Sequence, residues 1–343
     1  MSAPQPAMTN PPSPSDQPGA GMGDPPAHMR ALIQTPDGVR ETTDLAELRA
    51  AHADEQTLVW VDIVDGDVVL VDELAACLGI HPLVAEDILE RNQRAKIERT
   101  DEILHIVMFA LAYDGGVEED EVDIVLGRRF LLTGHGRTFD PRTLHTLRRG
   151  PEAFLAEGPD YLLWAIVDGL VDGYFPVFDR LGDEIDDLQA DVISKPSKWV
   201  VERLFQVRRD LLFIRHAVSP QREIFNQLTN RDEPLVSPDR IIYFRDVYDH
   251  LIRLTDELDS YRELVSTTLD AYLSTVNNNL SDIMKRLTAA TVILAGIAAV
   301  AGIFGMSEAA RAVEEGSGFW LITAVMIAAA GGAALYFRRI GWL

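Results

Sequence analysis

"LTAATVILAGIAAVAGIFGM", residues 287–306, is a run of twenty residues without a single charge. An α-helix needs about 20 such residues to cross the hydrocarbon core of a bilayer, so this stretch predicts a membrane span. The helix that contains it begins far upstream. No proline occurs after Pro238 and no glycine between residues 239 and 295, so nothing obliges the backbone to leave the α conformation there. One very long helix, 239–306, is expected, with about 287–306 as its membrane part. At ~1.5 Å per residue its glycine-free stretch alone would extend roughly 85 Å, more than a domain core requires. Phe244, Val247, Leu251, Leu254, Leu258, Tyr261 and Val265 recur at alternating steps of three and four, the seam of helices packed at small angles. Seam and length together predict association with copies or neighbours.

A second uncharged run, 316–337, gives a second span at 318–337 after a loop at 307–317. Lys285 and Arg286 precede the first span, and Arg338 and Arg339 follow the second. Basic residues flanking spans favour the cytoplasmic side, so both chain ends and the basic tail 338–343 are expected inside. The loop, with Glu308, Glu314 and Glu315, then faces out. A buried soluble hairpin is the alternative, and two adjacent uncharged runs with same-side basic flanks argue against it. The expectation is a multi-pass protein of the cytoplasmic (inner) membrane with cytoplasmic N- and C-termini.

Residues 1–28 are rich in Pro, Ser and Gly, lack the apolar core of a signal peptide, and read as a disordered tail. Over 29–140, short β-rich runs such as "TLVWVDIV" and "EILHIVMFAL" alternate with helical patterns such as "VDELAACLGI", which predicts a cytoplasmic α/β domain. Residues 141–238 read as a helical region, most simply two long helices with an interruption near Pro196. The 343-residue chain is 47% hydrophobic with a formal net charge of −23. Neutralising phosphates takes a concentrated basic surface, and none is present, so nucleic acid is excluded as a partner. Divalent cations suit an acidic surface better, although acidity also serves plain solubility. The one cysteine, Cys77, allows no disulfide within the chain and no thiolate zinc site. No Gly-rich phosphate loop, nucleophile motif or HExxH run occurs, so an enzyme is not expected.

A two-span hairpin whose first span continues a self-associating helix suggests a symmetric oligomer with those helices around a central path, since one subunit cannot enclose a pore. Along one face of the long helix Ser281, Met284, Thr288, Thr291, Ala295, Ala298, Gly302 and Gly305 follow at steps of three and four. The small residues among them either let helices approach closely or let a hydrated ion pass, and spacing alone favours close packing. In the soluble part, carboxylate oxygen is the preferred ligand of hard divalent cations. Glu86 and Asp87 are adjacent, and Asp246 and His250 lie four apart on one helical face. Each pair alone also fits a solvated surface.

Four stretches, in order, resemble one family. "HPLVAEDILERNQRAKIE" (81–98), "YFRDVYDHL" (243–251), "MKRLT" (284–288) and "YFRRIGWL" (336–343) are similar to the acidic-domain, long-helix, span-entrance and basic-tail motifs of CorA-type magnesium transporters. The resemblance covers nearly everything from about residue 58. It implies a CorA-like homopentamer with an α/β cytoplasmic domain, a long pore-lining helix and a two-helix transmembrane hairpin. Such a channel passes Mg2+, with Co2+ or Ni2+ as further cargo, down its gradient without nucleotide hydrolysis. Intracellular Mg2+ bound between cytoplasmic domains holds it shut. By the same resemblance Asp87 and Asp246 face each other across subunits as the principal sensing site, and Glu86, Asp168 and His250 form the neighbouring one. Gly305, Met306 and Ser307 stand at the mouth, where the family signature is Gly-Met-Asn. Ser307 keeps an oxygen acceptor but loses the amide and some reach. Gly296, Phe304, Ala298 and Ser281 also depart from the usual Pro, Tyr, Thr and Asn. Three readings follow: a working Mg2+ channel, a Zn2+ transporter of the same superfamily, and a poorly conducting metal-sensing relative.

Overall fold

The computed structural model describes residues 29–100, 102–230, 233–305 and 318–342. They form two compact units, each described by itself. The first takes the chain through Leu111 together with Glu119–Gly173 and Ala217–Leu251. The second comprises Ala112–Glu118, Tyr174–His216 and the chain from Ile252 on.

The first unit is built on a seven-stranded sheet of order β2-β1-β3-β7-β6-β5-β4. Its strands are β1 (Met29–Thr35), β2 (Gly38–Thr42), β3 (Leu58–Val64), β4 (Lys96–Thr100), β5 (Ile103–Tyr113), β6 (Val117–Leu126) and β7 (Phe130–His135). β3 and β7 run parallel, while β1 with β2, β1 with β3, β4 with β5 and β6 with β7 run antiparallel. A strand such as β3, "LVWVDIV", reads as a nearly continuous apolar run because both its faces are covered. One face sends Val59, Val61, Ile63, Phe130 and Leu132 into a core with helices α1 (Leu45–Ala53), α2 (Val68–Leu78) and α3 (Pro82–Glu90). On the other face Trp60 Nε1 donates to Thr133 Oγ1 at 3.1 Å, and Thr133 Oγ1 donates to Asp62 Oδ1 at 2.5 Å. His135 Nε2 lies 3.2 Å from the same oxygen, so the buried Asp62 carboxylate has partners and its desolvation is offset.

Helix α3 carries Glu86 and Asp87. His81 caps its first turn, Nδ1 accepting from Leu83 N at 3.2 Å, and Pro82 sits at a position whose N–H would be unsatisfied anyway. Arg91 ends it in the left-handed region at φ 45°. Its guanidinium donates to Asp65 Oδ1 at 3.2 Å, to Asp120, and to Glu121 O at 3.1 Å. The helix lies close over β7 because residue 134 is glycine: a Cβ there would stand 3.3 Å from Ile88 Cγ2.

After α4 (Pro151–Leu155) come three helices where the sequence suggests two: α5 (Pro159–Asp172), α6 (Phe175–Ser194) and α7 (Lys198–Asn230). The interruption near Pro196 is there, and a second falls at Gly173 and Tyr174. Pro176 has no N–H to offer the carbonyl of Asp172, so the α5 ladder cannot run on into α6. In the second unit the tip of the β5–β6 hairpin is held by charge. Arg180 Nη1 donates to Tyr113 O at 2.9 Å and Arg203 Nη1 to Gly115 O at 3.0 Å, while Glu184 takes both Tyr113 Oη and Arg203.

Helix α8 covers Ile241–Gly305 and α9 covers Gly318–Arg339. Of the α8 seam, Phe244, Val247, Leu251, Leu254, Leu258 and Val265 are buried within this one chain. The ring of Phe244 stacks on Phe225 of α7 at 6.5 Å, and Tyr261 tilts against Phe178 of α6 at 6.3 Å. The seam is thus occupied by the chain's own helices. Beyond it the apolar side chains change character: Leu273, Val276, Leu280, Ile283 and Leu287 continue the steps of three and four but are exposed. Among the described residues, three helical stretches are long and apolar enough to cross a membrane: Pro159–Ser194, Pro238–Ile303 and Trp320–Arg339. The apolar part of the first is mostly buried inside the fold, and those of the other two are almost entirely exposed.

Phe244→Ala is expected to cost about 3–5 kcal/mol by leaving a cavity beside Phe225. Ile242→Ala, two residues away at an exposed position, should change stability by less than about 0.5 kcal/mol. Denaturant unfolding of the two variants, followed by near-ultraviolet circular dichroism, measures the difference.

Candidate functional site

Helices α5 and α8 are locked together near the start of α8. Trp164 of α5 packs on Tyr243 at 4.8 Å and stacks on Tyr161 at 5.1 Å, and the Arg240 guanidinium lies 4.0 Å over the Tyr161 ring. Ser237 N donates to Asp160 Oδ2 at 2.9 Å, and Arg240 Nη2 to Glu157 Oε2 at 2.6 Å. One helical turn from Trp164 is Asp168, and Asp246 and His250 lie about one and two turns on from Tyr243. Ligand atoms of Asp168, Asp246 and His250 lie within 4.8 Å of one another.

Two further groups complete the cluster. Asp172 Oδ1 lies 3.2 Å from His250 Nδ1, and Asp172 Oδ2 lies 3.2 Å from His145 Nε2. His145 belongs to a 3-10 turn, His145–Arg149, fixed against α5 by Thr146 Oγ1 donating to Ala165 O at 2.6 Å. Neither Asp172 nor His145 is among the sequence candidates. The i, i+4 spacing of Asp168 and Asp172 is the signal that could have found the first, and no local signal marks the second.

Asp168 is 9% exposed. Burial, then repulsion from Asp172 and Asp246, push its pKa up to about 6, against the opposing pull of His250 and His145. Three carboxyls and two imidazoles therefore share a space in which the protein supplies too little positive charge of its own. Two carboxylate oxygens and an imidazole nitrogen are a donor set that a divalent cation would satisfy, with the nitrogen extending the range from Mg2+ toward Co2+, Ni2+ and Zn2+.

The other candidates lie elsewhere. Glu86 is exposed on α3, and Asp87 accepts from Lys96 Nζ at 2.7 Å; within one chain neither joins the Asp168 cluster. Ser281, Met284, Thr288, Thr291, Ala295, Ala298 and Gly302 all lie on α8 and are exposed. Thr291 Oγ1 donates back to Leu287 O at 2.8 Å. The residues of α8 that face α9 are others, Ile293, Ile297 and Ala301 opposite Ile322, Met326 and Ala330. Gly305 ends α8, while Met306, Ser307 and the loop residues Glu308, Glu314 and Glu315 lie outside the described residues.

A sequence profile of the CorA-like Mg2+ transporter protein family matches residues 55–339. The cobalt/magnesium transport protein CorA of Thermotoga maritima is 34% identical over 313 residues, 88% of each chain. The chain belongs to the CorA-like Mg2+ transporter family. Members of that family are channels or transporters, not enzymes. Among solved structures, the complete CorA magnesium transporter of Methanocaldococcus jannaschii matches with a TM-score of 0.74 at 21% identity, over 91% of this chain and 98% of that one. The ZntB cytoplasmic domain of Vibrio parahaemolyticus matches with a TM-score of 0.57 at 14% identity, over 73% of this chain and 98% of that one. Both are likenesses of fold. Membership agrees with the two exposed apolar helical stretches of this CorA-like chain.

A carboxyl whose pKa rises on folding from 3.8 to about 6 holds a proton in the folded state where the unfolded chain has lost it. Its contribution to stability is complete below about 3.8 and is lost as pH rises through about 6. Without divalent cations at pH 8, Asp168→Asn should therefore raise the unfolding temperature. The gain should shrink below pH 6, and millimolar Mg2+ should reverse the order by stabilising only the wild type. Thermal unfolding with and without chelator, at pH 5 and pH 8, reads all three outcomes.

Proposed function

We propose that the protein is a homopentameric channel of the cytoplasmic membrane that admits Mg2+ and closes when intracellular Mg2+ is plentiful. The observation that carries this reading is that one helix, α8, bears both Asp246 and His250 of the acidic cluster and the uncharged stretch that follows. Cation occupancy at one end and the pore at the other then share a backbone. Both chain ends are placed in the cytoplasm, with the hairpin loop outside.

Pentamer formation is supported by the apolar steps Leu273, Val276, Leu280, Ile283 and Leu287, which are exposed among the described residues of a single chain. In the assembly, Ser281, Met284, Thr288, Thr291, Ala295, Ala298, Gly302 and Gly305 line the path, and Gly305 carbonyls with the Met306 and Ser307 mouth receive the hydrated ion. Mg2+ sheds its waters reluctantly, so a ring of acceptors touching the water shell suffices for recognition. Regulation rests on charge. Asp87 and Asp246 from adjacent subunits, with Glu86, Asp168 and His250 beside them, repel one another unless cations bridge them. Mg2+ therefore stabilises the closed packing, and its loss frees the subunits to move apart.

Two variants of this reading follow from particular residues. His250 in the cluster favours a Zn2+ transporter of the same superfamily. Ser307 in place of the family Asn favours a poorly conducting, metal-sensing relative. Flux of Mg2+, Co2+ and Zn2+ into liposomes under a membrane potential separates them. Mg2+ entry is the expected result, and its absence overturns the proposal. A large gain of flux in Ser307→Asn would point to the poorly conducting relative, and little change to the working channel.

The sensing residues are tested apart from flux. Asp87→Asn together with Asp246→Asn should lower the protection that Mg2+ gives against limited proteolysis by at least tenfold in the concentration required. Unaltered protection removes these residues from the sensor.

A further inference from the structure

A second cluster lies in the first unit, on the sheet face beneath α3. β4 is an edge strand, and its Glu98 is the direct cross-strand partner of His105 on β5. Asp87 reaches the same spot from α3: ligand atoms of Asp87, Glu98 and His105 lie within 4.8 Å of one another. The His105 ring is fully buried. Its Nε2 is 2.8 Å from Oδ1 of the equally buried Asp123 on β6. A carboxylate only accepts, so Nε2 carries the hydrogen of that bond, and a neutral ring with that tautomer has its lone pair on Nδ1. Nδ1 has no hydrogen-bond partner.

An imidazole held by a carboxylate through one nitrogen and left open at the other is the arrangement of a metal-ligating histidine with its supporting carboxylate. The cation now in place belongs to the protein. Lys96 Nζ sits between the two carboxylates, 2.7 Å from Asp87 Oδ2 and 3.2 Å from Glu98 Oε2. An ammonium can neutralise carboxylates, but as a donor-only group it cannot use a metal-ready Nδ1 lone pair and both oxygens with the geometry of a metal ion. Lys96 is partly exposed on an edge strand, so its flexible stem can swing into water.

The geometry points to a divalent transition-metal site formed by Asp87, Glu98 and His105 Nδ1, supported by Asp123 and occupied in the absence of metal by the Lys96 ammonium. One nitrogen and two carboxylate donors select Zn2+, Co2+ or Ni2+ over Mg2+. Around a tetrahedral ion with bonds of about 2.1 Å the donors stand about 3.4 Å apart, so the partly exposed Asp87 and the exposed Glu98 close in on the fixed imidazole. All three ligands come from one chain, so the site does not depend on the pentamer proposed above. Where Asp87 also serves that assembly, the two sites compete for its carboxylate.

The test uses metal-stripped full-length protein in detergent and isothermal titration with Zn2+ and, separately, Mg2+. Lys96→Met removes the resident cation and should bind Zn2+ at least tenfold more tightly than the wild type. Adding His105→Gln should abolish that gain. The Asp168 cluster is intact in every variant, so the differences report on this site alone. Should the glutamine variant fail to fold, Lys96→Met with Asp123→Asn keeps the imidazole and should lose at least tenfold of the gained affinity. Zn2+ binding unchanged by Lys96→Met, a gain that persists without His105, or an equal gain for Mg2+ would overturn the assignment.

Discussion

A backbone that satisfies its own hydrogen bonds can pass from water into hydrocarbon without change, and α8 depends on that property for 65 residues. Only the side chains have to adapt. Through Val265 they present an apolar stripe that the chain's own α6 and α7 cover. From Leu273 the stripe continues uncovered, and by Leu287 the charges cease altogether. Each change follows from what surrounds that part of the helix, and none requires the backbone to break. Gly296 and Gly302 lie within it and remain helical, their weak propensity outweighed by the regular ladder on either side.

Much of this was legible in the sequence because periodicity reports which face of an element is covered. The strands around "TLVWVDIV" and the length of α8 follow from pattern and from missing Pro and Gly. Periodicity does not report what does the covering. The seam from Phe244 to Val265 predicts an associating helix equally well whether its partner is another copy or, as found, the chain's own Phe225 and Phe178. The break at Gly173 was missed for a related reason: its apolar spacing runs on unbroken, and only the missing N–H of Pro176 interrupts the ladder. At the acidic cluster, Asp246 and His250 were readable as an i, i+4 pair, whereas His145 joins them through a 3-10 turn about a hundred residues earlier. Proximity of that kind is a product of tertiary packing. The pairing of Asp87 with Asp246 rests on resemblance, since it spans two copies.

With a formal net charge of −23, the chain has to find a place for many carboxylates, and most of the buried ones have internal partners. Asp62 has Thr133 and His135, Asp123 has His105, and Asp160 has Ser237 N. In each case a donor from a neighbouring element offsets the loss of water, and the pair fixes how two elements meet. Asp168 is the contrast. Burial, with Asp172 and Asp246 beside it, outweighs the pull of its imidazoles, and the resulting upward shift in pKa marks a charge that the fold leaves unbalanced.

An unbalanced carboxyl costs stability, so its position in the fold matters. Asp168 is held there at a cost that a cation from solution would offset. Asp246 and His250 of that cluster sit on α8, the helix that also bears the uncharged stretch. Lys96, between Asp87 and Glu98, shows the opposite solution to the same problem: there the protein carries its own cation, and any metal must first displace it. On the readings proposed above, the two clusters would respond to different ions for a physical reason. One is short of charge and would take up a cation directly, while the other is already neutralised and would yield only to a metal that can also use the His105 nitrogen.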